Sequence, residues 1–420
     1  MLDIKFIREN PEKVKEAARN KRAKVDIDAL VNADSAYREV LQRLEVLRAE
    51  QNKKSKEARS ESSELHKLKA EIQDLEKQET KRKEELDRML LLVPNIPLGT
   101  VPVGKDESEN VVVREVGKKP EFDFTPQDYL TIAEKLDIID IARGAKVSGS
   151  RFGYLKGEAA LLEFALVRYV MDATSRYGFF PVVPPVLIKQ EAMRAMGYVE
   201  RGGEEIYFLA EDKLYLVGTS EQSVGPMHMD EVFGAAELPK RYISFSTCFR
   251  REAGSHGKDT KGILRVHQFD KAEMFVFCKP EDSEKEHRLL LSIEEELMQK
   301  LGLPYHVLTI CTGDLGDPAA AKYDIEAWMP GQNDGRGEYR ETHSTSNTTD
   351  FQARRLNIRY RSSGDGKKTK PEFVHTLNGT AFAMGRTLIA IIENYQTKEG
   401  GFKVPEALWP YAPFREVKPR

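Results

Sequence analysis

No stretch of this chain approaches the roughly 20 consecutive apolar residues that cross a bilayer. Its first ten residues, MLDIKFIREN, carry charge where a secretory leader needs an apolar run. Both absences argue against a membrane or exported protein, and the expected location is the cytoplasm. Cysteine is scarce. Cys248, Cys278 and Cys311 are too widely spaced for a disulfide framework or a paired zinc-ligand set, so they are expected in the core and no zinc is expected. Net charge is also nearly absent: 65 Lys and Arg face 68 Asp and Glu, leaving −3. A polyanion therefore finds no global attraction, and any nucleic-acid partner must be held by a local patch. Internal repeats, low-complexity tracts and a Walker A loop are missing as well. What is present is 420 residues, too long for one ordinary core, so two domains or one domain plus an appendage are expected, with 32% charged and 40% hydrophobic side chains, enough for a core under a charged surface.

From Ala33 the apolar residues recur at alternating steps of three and four: Ala33, Tyr37, Val40, Leu44 and Leu47, then Leu65, Leu68, Ile72, Leu75, Leu86, Met89 and Val93. That is coiled-coil spacing. The polar run KKSKEARSESSE between the two series is placed to carry a turn, which gives a long antiparallel helical hairpin. Gln51, Lys54, Glu79 and Arg82 fall on seam positions, so the distal part is expected to pack loosely. Prolines in VPNIP stop the hairpin. The division expected is a hairpin over 1–100, a Gly/Pro/Val-rich linker over 101–126, and a second domain over 127–420. There, 159–177 reads as a helix, GFFPVVPPVLI as an extended segment, and LYLVGT, RYISFSTCFR, AEMFVFC and YDIEAWMP as buried strands. Further helices are expected around 283–301 and 380–396. Strands and helices at irregular spacing, without regular βαβ alternation, imply an α+β fold with a mostly antiparallel sheet flanked by helices.

The chemistry concentrates in FRREAGSHGKDTKGILRVHQFDKAEMFVF, residues 249–277, which reads as strand, charged loop, strand. Arg forks onto phosphate oxygens and a ring can stack on a purine, so Arg250, Glu252, Val266, Phe269 and Glu273 are the parts of an ATP site. Residue types alone leave a second reading open, an ordinary charged hairpin with a salt-bridged edge.

This segment is similar to motif 2 of seryl-tRNA synthetases. RYGFFPVVPP upstream resembles motif 1 of the class II synthetases, with its proline at Pro185, and NGTAFAMGRTLIAIIENYQ resembles motif 3, with its arginine at Arg386. The resemblance spans essentially the whole chain. It implies a class II synthetase core, an N-terminal tRNA-binding arm, a homodimer joined at motif 1, and ATP-dependent activation of L-serine followed by transfer to tRNA(Ser), with tRNA(Sec) a further candidate acceptor.

The resemblance also implies residue roles. Arg250 would hold the α-phosphate and the serine carboxylate, with Arg251 beside it. Glu252 would lie near the adenine amino group, Val266 and Phe269 against the adenosine, and Arg386 on the γ-phosphate. Thr219 and Glu221 match an element that receives the serine ammonium, and Glu273 matches a carboxylate on serine itself. Asn378 and Thr380, from the NGT that opens motif 3, complete the serine set. In RETHSTSN, Glu341, Thr342, His343 and Ser344 fall in the ATP segment, with Glu341 and Ser344 as the Mg²⁺ contacts, a hard-oxygen pair suited to that ion. Arg250, Glu273 and Arg386 are the expected catalytic residues. Without the motifs around them, the isolated Thr and Asn residues read rather as caps or turns. Three departures stand out: Thr345 replaces a common Cys, GQNDGRGEYRE is long, and Gly153 follows SGSRF where an aromatic is usual.

Two other functions fit parts of the chain. A ligase that charges a carrier protein would share the core but lacks the arm. A scaffold built on the coiled coil would not need Arg250, Glu252, Glu273, Glu341 and Arg386 intact. No HIGH-like or KMSKS-like signature points to class I chemistry.

Overall fold

The computed structural model describes residues 1–57, 63–200, 203–253, 259, 261–362 and 370–419. Two compact units divide the chain, Met1–Ile96 and Pro97–Arg420. In the first, α1 (Ile27–Glu57) and α2 (Ser63–Leu91) pair along their length. The expected turn lies in 58–62, outside the described residues. Leu44, Leu68, Ile72 and Leu75 form the buried seam, with Val40 and Leu47 packed on it. The polar seam positions do not mark one loose distal end. Glu79 and Arg82 sit in the half of α2 farther from the tip, where Glu79 accepts a hydrogen bond from the Tyr37 hydroxyl at 3.1 Å. Toward the tip, Lys54 pairs with Glu50 at 3.0 Å and Glu64 at 3.4 Å. Arg43 pairs with Glu71 and Arg48 with Glu76 across the helices. Exposed pairs of this kind contribute about 0–1 kcal/mol each, so the apolar seam holds the hairpin.

The second unit is built on an eight-stranded sheet. Its strands are β1 (Val111–Val116), β2 (Phe180–Val182), β3 (Lys240–Phe249), β4 (Gln268–Cys278), β5 (Tyr305–Thr309), β6 (Ala321–Met329), β7 (Glu338–Asn347) and β8 (His375–Ala383), in the order β1-β5-β6-β7-β8-β4-β3-β2. Only β2, beside β3, runs parallel to its neighbour. The α+β class read from the sequence is what the chain adopts. Two boundaries differ. Residues 101–126 are not all linker, because the β-branched run VVVREV becomes the edge strand β1, paired with β5. The last helix starts at Met384, since 375–383 pairs with β4 as β8.

Helices α3 (Gly157–Ser175), α4 (Ser283–Lys300) and α5 (Met384–Asn394) pack on one face of the sheet. Successive strand residues point to opposite faces. Ala272, Met274 and Val276 of β4 join these helices in the main core, while Phe269, Lys271 and Glu273 face the other way into a cavity. Helix α5 is buried nearly all round, nine of its eleven residues, Thr387, Glu393 and Asn394 among them, and its apolar run continues that of β8.

A charge pair ties α4 to β3. Arg241 donates to both Glu286 oxygens, at 2.8 and 2.6 Å, and to the Tyr177 carbonyl at 2.9 Å, while Glu286 is 2% exposed. Arg241→Ala should therefore lower unfolding stability by about 3 kcal/mol, the usual cost of stranding a buried carboxylate. Urea titration checks this, and Arg241→Met with Glu286→Leu should recover most of the loss.

Candidate active site

The cavity holds about 640 Å³ on the open face of the sheet. Arg250, just beyond β3, enters it with its Nε bonded to the Gly218 carbonyl at 3.1 Å and its guanidinium 5.2 Å from the centre of the Phe269 ring. Val266, Leu264 and Ile263 make an apolar wall beside that ring. Glu252 has a left-handed backbone, φ 52°, that a side-chain-bearing residue adopts at a cost. Its carboxylate is held by Arg265 at 2.6 Å. A planar ring, an apolar wall and a guanidinium in one corner suit a purine nucleotide.

One end gathers Tyr198, Thr219, Glu221, Lys271, Glu273, Asn378 and Thr380. Register explains the meeting: Glu273 lies opposite Ser244 on β3 and Thr380 on β8, and Asn378 lies opposite Ser346 on β7. Glu273 is 1% exposed and pairs with Lys271 at 2.6 Å. Burial pushes the Glu273 carboxyl above its usual range, and Lys271, Thr380 and Arg250 pull it part of the way back. Glu221 is pushed up to about 7 by burial and by Glu273, against the hydroxyl of Tyr198, which donates to it. Two carboxyls in so small a space form a site for a cation that also offers hydrogen-bonding groups.

The opposite end is built by β6, β7 and the start of α5. Arg386 reaches Glu341 Oε2 at 3.3 Å, the Glu341 carbonyl at 2.9 Å and the Leu264 carbonyl at 3.3 Å. Glu341 is enclosed by protein atoms yet 46% of its side chain opens to the cavity. Enclosure by itself would raise its carboxyl, but Arg386, Lys322 and Arg250 hold it down at about 2. Lys322 and Asp324 pair at 3.0 Å. Asp324 is raised to about 6 by burial, with Lys322 opposing and Glu341 adding to the rise, and its Oδ1 has no hydrogen-bond partner among the described residues. Among these residues, no group of three or more His, Cys, Asp and Glu side chains converges as a metal cage. Glu341, Ser344 and the unpartnered Asp324 oxygen offer hard donors that need further ligands from elsewhere, as Mg²⁺ with phosphate and water supplies.

Of the residues singled out in the sequence, Thr219, Glu221, Arg250, Glu252, Val266, Phe269 and Glu273 line this one cavity. Glu341, Thr342, Ser344, Asn378, Thr380 and Arg386 line it too. Two do not. Arg251 projects outside, its guanidinium 5.0 Å from the Tyr207 ring. His343 is 1% exposed in the core, bonded to the Thr342 hydroxyl at 2.8 Å, and burial holds its imidazole down at about 4. A bulge on β7 causes the split. Ile325 faces His343 but Glu326 faces Glu341, so Thr342 is the extra residue and Glu341 turns to the cavity side. Sequence reading missed Tyr198, Arg265, Lys271, Lys322 and Asp324. A signal existed for three of them: Lys271 with the already predicted Glu273, and Lys322 with Asp324, are opposite charges two apart on largely apolar strands, which places each pair on one buried face. Tyr198 carries no such mark.

Residues 1–97 match the family model of the seryl-tRNA synthetase N-terminal domain, and 208–395 that of the tRNA synthetase class II core domain (G, H, P, S and T). The chain is 46% identical over 433 residues to the serine-tRNA ligase of Dictyoglomus turgidum, covering all of both chains. It is 46% identical over 421 residues to that of Thermobifida fusca, covering 98% of this chain and 97% of the relative. The solved seryl-tRNA synthetase of Pyrococcus horikoshii, complexed with ATP, superposes with a TM-score of 0.92 at 40% identity and full coverage of both chains. The cytoplasmic serine-tRNA ligase of Naegleria fowleri, in complex with AMP, does so at 0.89 and 36%, covering 100% of this chain and 99% of that one.

Lys271→Met should destabilise the fold by about 3 kcal/mol at pH 8, because Glu273 loses the cation beside it. A carboxyl whose folded pKa lies above its unfolded one costs stability above the unfolded value and regains it as pH falls. The deficit in urea unfolding should therefore shrink at pH 5, and Glu273→Gln in the same chain should remove most of it at pH 8.

Proposed function

The chain belongs to the seryl-tRNA synthetase family, and from that premise we propose how its cavity performs the family's reaction. It is an ATP-dependent serine-tRNA ligase: serine and ATP give seryl-adenylate and pyrophosphate, and the seryl group then passes to tRNA. The observation that carries the assignment of parts is that one cavity gathers Glu221 and Glu273 in one group, Arg250 against the Phe269 ring in a second, and Arg386 with Glu341 and Lys322 in a third.

In this reading Glu221 and Thr219 receive the serine ammonium, and Glu273, Thr380 and Asn378 receive its hydroxyl. A buried site that hydrogen-bonds a hydroxyl rejects analogues lacking it, because its polar groups are then left unpaired. Phe269 and Val266 take the adenine ring and Glu252 its amino group. Arg250 bridges the serine carboxylate and the α-phosphate, which brings the attacking oxygen in line with the phosphorus. Arg386 takes the γ-phosphate, so that pyrophosphate leaves toward positive charge. No side chain acts as a nucleophile. Rate comes from positioning and from charges fixed before reaction. Glu341 and Ser344, with Asp324 behind them, would hold Mg²⁺, which when bound neutralises phosphate charge. In the second half-reaction the terminal ribose hydroxyl of tRNA attacks the adenylate carbonyl, the bond from that carbonyl to the phosphate oxygen breaks, and AMP leaves with its phosphate taking up the hydroxyl proton beside Arg250.

Two parts of the reading concern partners. Leu161 and Phe164 on α3, with Phe180 and Val183 after it, are exposed at 46, 66, 66 and 81%. Apolar side chains so exposed suit an interface, and a second copy is its proposed occupant. The α1–α2 hairpin, with Arg43, Arg48, Lys53, Lys54, Lys56, Lys67 and Lys69, and Arg59, which lies outside the described residues, is the proposed tRNA arm, gripping phosphates and sugars by shape. Cytoplasm is the proposed setting.

Amino-acid-dependent ATP–pyrophosphate exchange across the common amino acids, followed by charging of total tRNA, tests the function. Exchange driven by threonine or alanine and not by serine overturns it. Because Glu221 titrates near 7 and only its carboxylate attracts an ammonium, KM for serine should rise about tenfold between pH 8 and pH 6, the loss of ionised fraction over that range. KM for ATP should move little, and Glu221→Gln should flatten the serine profile.

Replacing residues 33–92 by a short linker should leave serine-dependent exchange near normal, lower charging at least about tenfold, and reduce the salt dependence of the remaining tRNA affinity. Equal charging by the truncated and full chains at matched salt would reassign the hairpin.

A further inference from the structure

Glu294 on α4 is an acid that the reaction above does not use. It is 0% exposed, and neither carboxyl oxygen has a hydrogen-bond partner among the described residues. Buried polar atoms are nearly always paired, so two orphans on one side chain call for a reason. Burial raises this carboxyl well above its usual range, with Glu273, Asp324 and Glu295 adding to the rise and Lys271 opposing it, which favours the neutral acid.

The place of that acid is set by a side chain that is missing. Gly379 of β8 lies opposite Met274 on β4 and Thr345 on β7, both buried in the core. Directly opposed residues share a face, so the side chain that Gly379 lacks would point into the core, while Asn378 and Thr380 on either side of it line the cavity. Glu294 fills the vacated place. A Cβ built on Gly379 would lie 2.9 Å from Glu294 Oε1, 3.2 Å from Thr345 Oγ1 and 3.4 Å from Met274 Cε.

Strand pairing is weakest at this same point. The ladder between β8 and β7 ends at Gly379. On the other side, Glu273 faces Thr380 but Ala272 faces Phe382, so Ala381 is the extra residue of a bulge. The Thr345 hydroxyl holds the Asn378 carbonyl at 2.9 Å, and at the next residue the Glu294 carboxyl meets the chain from the core side. We propose that Glu294 is a positioning residue for the serine end: its carboxyl stands in for the absent side chain of Gly379 and props residues 378–380 at the depth from which Asn378 and Thr380 reach the serine hydroxyl. This rests on the serine assignment above. It also gives the glycine its reason, because any side chain at 379 would compete with the acid for one space.

The test uses the full chain in serine-dependent ATP–pyrophosphate exchange and sets KM for serine against KM for ATP. Glu294→Ala should raise KM for serine about tenfold and leave KM for ATP within about twofold, since a small displacement of two hydrogen-bonding residues is felt by the substrate they hold. Glu294→Gln, which keeps the shape and is uncharged, should stay within about twofold of the wild type for both substrates. Gly379→Ala should raise KM for serine as Glu294→Ala does, and the two together should return it to within about threefold of the wild type, because the new methyl enters the space the acid has left. If Glu294→Ala does not fold, Gly379→Ala and Glu294→Gln carry the test. An unchanged KM for serine in Glu294→Ala, a parallel rise in both KM values, or additive losses in the double variant overturns the proposal. Thr380→Ala tells this apart from failure of the serine assignment: an unchanged KM for serine in that variant removes the assignment, whatever Glu294 does.

Discussion

A β-strand offers alternate side chains to opposite faces, and in β4 that two-residue period separates the hydrophobic core from the chemistry. Ala272, Met274 and Val276 close onto α3, α4 and α5, while Phe269, Lys271 and Glu273 line the cavity. Strands β3 and β8 are locked to β4 on either side, so the positions of Ser244, Asn378 and Thr380 follow from that choice of face. A one-residue slip would send Glu273 into the core and Met274 into the cavity. Two bulges adjust the result locally. One on β8 brings Thr380 opposite Glu273, and one on β7 turns Glu341 out of the core.

The same wall carries charges that would be costly to bury singly. Glu273 has Lys271, Asp324 has Lys322, Glu341 has Arg386, and Glu252 has Arg265. Each pair fixes the direction of its carboxylate before a substrate arrives, which is what electrostatic catalysis requires of an active site. Removing one partner exposes the cost of the other. Glu294 is the contrasting case. It lies in the core under Gly379, with neither carboxylate oxygen bonded among the described residues, and burial raises its carboxyl well above the usual range, so the neutral form is favoured. A side chain at Gly379 would bring its Cβ to 2.9 Å from a Glu294 oxygen.

Two of the three departures from the usual family pattern are absorbed by hydrogen bonds, the third by packing. Thr345 donates to the Asn378 carbonyl at 2.9 Å, bracing β8 where it carries a cavity residue. In GQNDGRGEYRE, Asn333 and Asp334 adopt left-handed backbones, and the stretch is anchored by the Gly331 amide, 2.8 Å from Glu393 on α5, and by the Gln332 amide on the same carboxyl. Gly153 leaves room for Ile141, whose Cδ1 would lie 2.7 Å from any Cβ built there.

Local patterns in the sequence determined the hairpin seam, the α+β class, most strands and the residue types of the cavity, because apolar spacing and charged motifs are properties of neighbouring residues. Family resemblance then grouped positions more than 160 residues apart, from Thr219 to Arg386. What the chain could not encode locally was side-chain direction at irregular points. The bulge at Thr342 separates His343 from Glu341, and the strand pairing of β8 keeps 380–383 out of the helix that follows. Tyr198 reaches Glu221 from 23 residues away, and VVVREV becomes an edge strand because β5 is there to pair with it. Those outcomes depend on which strands lie side by side and in what register, a constraint that exists only once the sheet has formed.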